Sequence, residues 1–303
     1  MKKAFIDLGT NTFHLLIVEF PAKEILFKTS VATQLGKGGI NAQTITPEAI
    51  ERALKVLKEF RLKINEFEIT SENVIATATS AVRNAKNQQE FLNEVSAKTA
   101  INIQVISGDE EAILIYEGIT QAVKIEEPSL IVDIGGGSVE FIIANNAGIL
   151  WKQSFEIGGQ RLIEIFMKTD PISAKAVDRL NNYFLEELLP LTNAVHQYKP
   201  SVLVGSSGSF DTLNDIHWMN EFGHLPLGKI GFDYPIGAFK EAYELFVYQS
   251  RSERMKIPGM IDLRVEMIVV AVCLIRFLLE TYQISEIKIS NYALKEGLMS
   301  RFS

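Results

Sequence analysis

FIDLGTNT at residues 5–12 and IVDIGGGS at residues 131–138 share one pattern of residue types. Each stretch has two apolar residues, an aspartate, another apolar residue and a glycine, and then small or polar residues that end in Thr or Ser. A further run of β-forming residues follows each stretch. The aspartates, Asp7 and Asp133, lie 126 residues apart (133 − 7), close to half of the 303-residue chain. The pattern therefore predicts a duplicated strand–turn–strand unit, one in each half of the chain.

A glycine turn at the end of a strand is suited to binding anions. Consecutive backbone N–H groups in such a turn point into one concavity, which binds phosphate oxygens. A Ser or Thr hydroxyl adds a donor, and an aspartate carboxylate suits a hydrated Mg²⁺ ion. We expect the two hairpins to face each other and to hold a phosphate chain in a cleft between two domains. The chain lacks the Gly-x-x-x-x-Gly-Lys-Ser/Thr motif, which argues against a P-loop NTPase.

Strand and helix patterns alternate along both halves, which predicts an α/β fold with mixed sheets flanked by helices. The polar segment at residues 122–128 ends in proline, so we place the domains at residues 1–123 and 124–290. A C-terminal helix at about residues 291–303 is expected to pack back on the first domain.

Three further expectations concern the second half of the chain. We expect one helix at about residues 173–196, and a glycine–serine turn at residues 205–209 followed by a polar, Gly-rich region at about 214–233. A helix at about residues 262–282 carries apolar residues on both sides, which predicts that it is buried nearly all round.

Composition limits the classes of function. The net charge is −7, from 37 acidic and 30 basic side chains, so the chain lacks the general positive field of a nucleic-acid-binding protein. The single cysteine, Cys273, excludes an intramolecular disulfide and a Cys-rich metal site. The longest apolar stretch, residues 267–275, is shorter than the ~20 residues that span a bilayer, and Asp7 interrupts the apolar start of the chain. We expect a cytoplasmic protein with neither nucleic acid nor a membrane as its partner.

The paired turns resemble those of the actin, Hsp70 and sugar-kinase superfamily, in which two duplicated, ribonuclease H-like domains enclose a phosphate-bearing ligand. Within that superfamily the chain resembles the exopolyphosphatase and guanosine pentaphosphate phosphohydrolase family, the Ppx/GppA family. The motifs that carry this resemblance are, in chain order, DLGTNTFH (7–14), TSAVRNAKN (79–87), ISGDEEA (106–112), DIGGGSVE (133–140), GGQRL (158–162), IPGM (257–260) and LKEG (294–297). Their order is specific, and they cover nearly the whole chain.

The resemblance implies a set of site residues. The catalytic carboxylates would be Glu111, Asp133 and Glu140. The metal ion, Mg²⁺ with Mn²⁺ as an alternative, would be held by Asp7, Asp133 and Glu140. The substrate phosphates would be bound by Thr10, Asn11, Thr12, Arg83, Gly135, Gly136, Gly137, Ser138, Gly208 and Arg264.

These residue types suit hydrolysis of a terminal phosphoanhydride bond. Glu111 lies near the start of a predicted helix, and we expect it to orient the attacking water as a general base. Asp133 and Glu140 lie on either side of a tight glycine turn, so both carboxylates can approach one metal ion or one water. The implied substrates are inorganic polyphosphate and pppGpp, which would be converted to ppGpp in the stringent response.

Three departures from the family pattern leave the substrate chain length and the nucleotide preference open. Ile113 and Lys295 stand where arginine is common, and residues 205–208 replace a more glycine-rich loop. Two other functions stay in competition: a phosphotransferase such as a sugar or acetate kinase, and a non-catalytic sensor that binds ppGpp or polyphosphate. The oligomeric state is also open, and a homodimer is one candidate.

Overall fold

The structure is a computed structural model that describes residues 1–302, and in it the two matching stretches form equivalent hairpins. Strands β1 (Lys2–Leu8) and β2 (Thr12–Glu19) pair antiparallel in the first half of the chain. Strands β6 (Ser129–Ile134) and β7 (Val139–Asn145) pair antiparallel in the second. The same hydrogen bond closes both turns, because the N–H at the first glycine donates to the carbonyl three residues on, at 3.1 Å in each case.

Each hairpin is part of a mixed sheet. The other strands are β3 (Glu24–Ala32), β4 (Val74–Ala78), β5 (Ile103–Val105), β8 (Gly148–Phe155), β9 (Val202–Ser206), β10 (Gly231–Tyr234) and β11 (Glu286–Ser290). The first sheet has the order β3-β2-β1-β4-β5, and the second has the order β10-β11-β9-β6-β7-β8. In both sheets a three-stranded antiparallel meander is extended beside its first strand by two parallel strands, β4 and β5 in the first sheet and β9 and β11 in the second. Strand β10 completes the second sheet and is antiparallel to β11. The predicted α/β fold with two duplicated, mixed sheets is thus confirmed.

Helices cover the faces of both sheets. They are α1 (Pro47–Glu66), α2 (Ser80–Arg83), α3 (Gln88–Thr99), α4 (Gly108–Ile119), α5 (Gly159–Phe166), α6 (Ala174–Glu187), α7 (Leu189–Tyr198), α8 (Ser207–Phe222), α9 (Ile236–Tyr248), α10 (Arg251–Arg254), α11 (Met267–Tyr282) and α12 (Leu294–Ser300). No helix within residues 1–302 is long and apolar enough to cross a membrane.

Three apolar clusters hold these layers together. One cluster joins the first sheet to α1 and α3, and a second joins the second sheet to the helices of the second half. The third lies between the sheets, where Phe5 of β1 and Ile131 of β6 share a core with Leu114 of α4 and Leu298 of α12. As predicted, α11 is buried nearly all round, because 13 of its 16 residues are buried, Cys273 among them. The helix begins at Met267 rather than at about residue 262, because residues 262–266 form turns. Helices α4 and α12 therefore connect the two halves beside the paired turns.

Two glycines let α4 and α12 approach each other closely. A Cβ atom on Gly297 would lie 1.8 Å from the carbonyl oxygen of Leu114, and one on Gly118 would lie 2.0 Å from that of Ala293. The C-terminal helix is thereby held against α4, which belongs to the first half. The domain boundaries at residues 123/124 and 290/291 stay predictions, and Ser303, the last residue of the predicted C-terminal helix, lies outside the described residues.

The structure corrects two expectations in the second half. The predicted helix at 173–196 is two helices, α6 and α7, because Pro190 in the first turn of α7 lacks the N–H group that a continuous helix needs. The predicted turn at residues 205–209 was also wrong, since α8 begins directly at Ser207 and continues to Phe222. The predicted polar, Gly-rich region is therefore limited to residues 223–230, between α8 and β10. Gly208 therefore lies in the first turn of a helix.

Candidate active site

The two hairpin turns line one cleft, which has a cavity volume of about 140 Å³ and is open to solvent. Of the predicted site residues, those that line it are Asp7, Thr10, Asn11, Thr12, Glu111, Asp133, Gly135, Gly136, Gly137, Ser138, Gly208 and Arg264. Arg83 and Glu140 do not line the cleft but lie behind its wall, next to residues that do. Six polar lining residues were not in the predicted site set, namely His14, Thr79, Ser207, Asp211, Asn291 and Lys295.

The two turns face each other at van der Waals distance. A Cβ atom on Gly136 would lie 2.9 Å from the side-chain amide of Asn11. One on Gly137 would lie 2.6 Å from the hydroxyl oxygens of Thr10 and Ser80. Any side chain at Gly136 or Gly137 would therefore push the turns apart, which explains why the second turn needs glycine there.

Helix α5 fixes the second turn from behind. The N–H groups of Gly158, Gly159 and Gln160 donate to the carbonyls of the three glycines in the turn, at 2.8 to 3.2 Å. The N–H groups of Gly136 and Gly137 donate to no acceptor within residues 1–302. The contacts of the carbonyls with α5 hold the turn in place, and the N–H groups of Gly136 and Gly137 stay available to bind an anion in the cleft.

Glu111 is held in the cleft wall by one arginine. Ser107 caps α4 by accepting a hydrogen bond from the N–H of Glu110 at 3.1 Å, which places Glu111 in the first turn. Arg83 donates from Nη1 to Oε2 of Glu111 at 2.7 Å, whereas Oε1 accepts no hydrogen bond from the described residues. Burial, together with the nearby charge of Glu140, raises the pKa of Glu111 well above its usual value although Arg83 acts in the opposite direction. A carboxylate whose pKa is raised is a stronger base than an exposed glutamate.

Glu140 and Asp133 lie opposite each other in the β6–β7 register. Glu140 is 1% exposed and accepts a hydrogen bond from the hydroxyl of Ser154 at 2.6 Å. Burial and the neighbouring charge of Asp133 raise the pKa of Glu140 to about 7. Burial also raises the pKa of Asp133, and hydrogen bonds from Ser207 and Ser206 to its Oδ2, at 2.7 and 2.8 Å, limit that rise.

Ser207 reaches Asp133 at a conformational cost. Its φ is +68°, in the left-handed region that non-glycine residues rarely adopt. The residue thus begins α8 in a strained conformation and directs its hydroxyl onto the carboxylate of Asp133. No simple sequence signal marks such a residue, because the strain arises only from the docking of α8 against β6.

Asp7 and Asp211 each have one carboxylate oxygen that is buried in the cleft without a hydrogen-bond partner in the described part of the chain. Burial raises the pKa of both groups to about 7, against the effect of the nearby Lys295. Lys295 forms an ion pair with Glu296 at 3.2 Å, and Arg264 packs on Gly208, where a Cβ atom would lie 1.9 Å from Nη2. The cleft therefore offers carboxylate oxygens and two cationic side chains side by side.

The side chains of the cleft could supply only some of the ligands of a divalent metal ion. Within residues 1–302 no three His, Cys, Asp or Glu side chains converge on one point as a complete ligand set. Mg²⁺ commonly uses one or two protein carboxylates and completes its octahedron with water and substrate phosphates. The unpartnered Oδ1 of Asp7 fits such a ligand, with Asp133 nearby.

Comparisons with known proteins give one consistent result. A family model described as the Ppx/GppA phosphatase family matches residues 17–302. The crystal structure of an exopolyphosphatase from Cytophaga hutchinsonii is 43% identical with a TM-score of 0.94, covering 99% of this chain and 97% of that one. The Aquifex aeolicus member of the Ppx/GppA family is 27% identical with a TM-score of 0.80, covering 99% and 97%.

One curated relative differs in length. A bifunctional 3-dehydroquinate synthase/phosphatase from Fusobacterium nucleatum subsp. nucleatum is 38% identical over 173 residues. The match includes 54% of this chain and 26% of that protein, so it spans about a quarter of the relative's length.

Proposed function

Because this chain belongs to the Ppx/GppA phosphatase family, we propose that it hydrolyses the terminal phosphoanhydride bond of inorganic polyphosphate, of pppGpp, or of both. The similarity to an exopolyphosphatase at 43% identity supports polyphosphate as a substrate. One observation carries the proposal: Glu111 lies in the wall of the cleft between the two turns, with Oε2 held by Arg83 and Oε1 without a donor among residues 1–302.

The turns would bind the terminal phosphates. The free N–H groups of Gly136 and Gly137 supply donors from the second half, and the buried, unpartnered hydroxyl of Thr12 supplies one from the first. Lys295 and Arg264 add positive charge to the lining of the cleft. Donors already in place when charge develops on the phosphate stabilise the transition state without reorganisation.

Glu111 would act on the attacking water. Its free Oε1 accepts a proton from a water in the cleft while Arg83 keeps Oε2 in place. Because burial raises the pKa of Glu111, the carboxylate is a stronger base than an exposed glutamate. Glu140 lies close enough to Glu111 for each charge to affect the other and would share the proton that the water loses.

Mg²⁺ would be held by Asp7 with Asp133, whereas Glu140 lies behind the wall of the cleft, and a bound ion would supply positive charge to phosphate oxygens. Asp7 has the unpartnered oxygen that such a ligand needs, whereas Asp133 and Glu140 are already engaged by serine hydroxyls. Asp7 is therefore the residue whose loss should weaken metal binding most.

The test is phosphate release by the wild type and by Glu111→Gln, with short polyphosphate, long polyphosphate, pppGpp and ATP as separate substrates. We expect release from polyphosphate or pppGpp in the wild type and a fall of at least ~100-fold in the variant, the usual contribution of a general base. Glu110→Gln is the matched control, because Glu110 is the preceding residue in the same turn but is 39% exposed and contacts Arg301 instead. Full activity in Glu111→Gln would defeat the assignment.

The two competing functions give different outcomes in the same assay. Transfer of phosphate to ADP or to an added acceptor, with no free phosphate, would identify a phosphotransferase. Binding of polyphosphate or ppGpp by the wild type without phosphate release would identify a sensor. Either result would overturn the hydrolase.

A further inference from the structure

Glu156 connects the two halves of the molecule beside the candidate base. It lies in the short connection between β8 and α5, in the second half of the chain. Its carboxylate accepts hydrogen bonds from the hydroxyl of Ser80 at 2.7 Å and from Nη2 of Arg83 at 3.4 Å, both in the first half. It also accepts one from Nη2 of Arg161 at 2.8 Å, in its own half.

Arg83 is divided between two carboxylates. Its Nη1 donates to Glu111 at 2.7 Å, and its Nη2 is directed to Glu156 at 3.4 Å. A guanidinium beside a single carboxylate tends to form a fork with both oxygens of that group. A second carboxylate that engages Nη2 opposes the fork, which leaves Oε1 of Glu111 free of Arg83.

The second turn, between β6 and β7, is connected to the same hydrogen-bond network. Arg161, 8% exposed, donates from Nε to the carbonyl of Gly137 at 2.7 Å and from Nη1 to the carbonyl of Ile40 at 2.9 Å. It therefore holds Glu156, the turn and a loop of the first half in one arrangement. The position of Glu156 relative to Arg83 depends on contact between the halves.

We propose that Glu156 is a positioning residue for the hydrolysis. It restrains Arg83 so that the arginine engages only one oxygen of Glu111, and it can do so only while the two halves are in contact. This proposal rests on the proposed function, because it assigns Glu156 a role in presenting the free oxygen of Glu111 to water.

The first test compares Glu156→Gln with Glu164→Gln. Glu164 is the matched control, since it also crosses between the halves, by accepting from the N–H of Gly38 at 2.9 Å and from Asn41 at 3.0 Å, but it does not contact Arg83. We expect Glu156→Gln to lower kcat ~10-fold with KM changed less than ~2-fold, because it acts on a general base worth ~10²–10⁴-fold. The Glu156 side chain is 41% exposed and Gln has the same shape, so we expect this variant to fold, with thermal melting as the check.

The second test is a double-mutant cycle with Arg83→Lys. Lysine lacks the planar fork with which arginine binds both oxygens of one carboxylate, so the fork on Glu111 that Glu156 opposes cannot form in Arg83→Lys. Glu156→Gln should therefore change kcat less than ~2-fold in the Arg83→Lys background. Glu164→Gln should have the same small effect in both backgrounds.

The outcomes separate this proposal from the proposed function. An active wild type in which the effects of Glu156→Gln and Arg83→Lys simply multiply would overturn the role of Glu156 alone. Equal losses in Glu156→Gln and Glu164→Gln would do the same, because they would show general loosening of the interface. A wild type that releases no phosphate would overturn the hydrolase and this role with it.

Discussion

His14 and Glu140 occupy the same position in the two hairpins. His14 is paired with Asp7 in the β1–β2 register, and Glu140 is paired with Asp133 in the β6–β7 register. Burial, and then the charges of Lys295 and Arg264, lower the pKa of His14 to about 3, whereas burial and Asp133 raise the pKa of Glu140 to about 7. The two hairpins therefore have the same strand pairing, but only the second hairpin places an acidic group at this position.

This asymmetry predicts that Glu140→Gln and His14→Gln differ in activity. Glu140 lies beside Glu111 and shares its electrostatic environment, so its neutral replacement should reduce kcat by ~10²-fold, within the range for an acid–base group. The neutral His14 should contribute far less. Phosphate release at saturating substrate measures both variants, and equal losses would contradict a special role for the second hairpin.

Asp211 predicts a pH dependence of stability. Burial raises the pKa of its carboxyl to about 7 in the folded protein, from the ordinary value of 3.8. The folded state then keeps a proton that the unfolded state loses, so the free energy of unfolding falls as pH rises from about 4 to about 7. Asp211→Asn removes this effect, and we expect it to stabilise the metal-free protein by about 1–2 kcal/mol at pH 8 and hardly at all at pH 4.

Urea denaturation in the presence of a chelator at both pH values measures the effect of Asp211→Asn. Asp178→Asn is the control, because Asp178 is exposed on α6. A variant that is less stable than the wild type at pH 8 would show that the buried carboxylate of Asp211 has a stabilising partner.

Gly297→Ala should separate α12 from α4. The added Cβ would overlap the carbonyl oxygen of Leu114, so we expect a loss of about 1–3 kcal/mol, as for other overpacked sites, and displacement of Lys295 from the cleft. Gly237→Ala in α9 is the control, because no atom lies within 4 Å of its Cβ position, and alanine favours a helix over glycine. Thermal and urea unfolding should order the proteins with Gly297→Ala lowest, and an unchanged Gly297→Ala protein would contradict the close approach.

Two substitutions at Ser207 distinguish the effect of its backbone strain from the effect of its hydrogen bond. Both Ser207→Ala and Ser207→Gly lose the hydroxyl that donates to Asp133, so both should lower activity by a similar factor. Only glycine relieves the φ of +68°, so Ser207→Gly should be more stable than Ser207→Ala by about 1 kcal/mol. Equilibrium unfolding compares the two, and a more stable alanine variant would show that the backbone is not strained there.

The repeat in the sequence predicted the two mixed sheets and the paired turns. It could do so because the strand–glycine–strand pattern lies within a few neighbouring residues and occurs once in each half of the chain. Most of the site residues that the family resemblance implied line one cleft. The helix that begins at Ser207 was missed, since Gly205–Ser209 has the composition of a loop and its helical conformation depends on packing against β6.

By itself the sequence determined the duplicated hairpins, the burial of α11 and the cluster of acidic residues near the turns, because periodicity and turn chemistry depend on neighbouring residues. Only the tertiary structure decided that Arg83 lies between Glu111 and Glu156, that Ser207 reaches Asp133, and that Asp211 and Lys295 enter the cleft. These residues are far apart in the chain, and their contacts depend on how the two halves and α12 pack together. No local pattern records that packing, so the partners of these carboxylates are visible only in three dimensions.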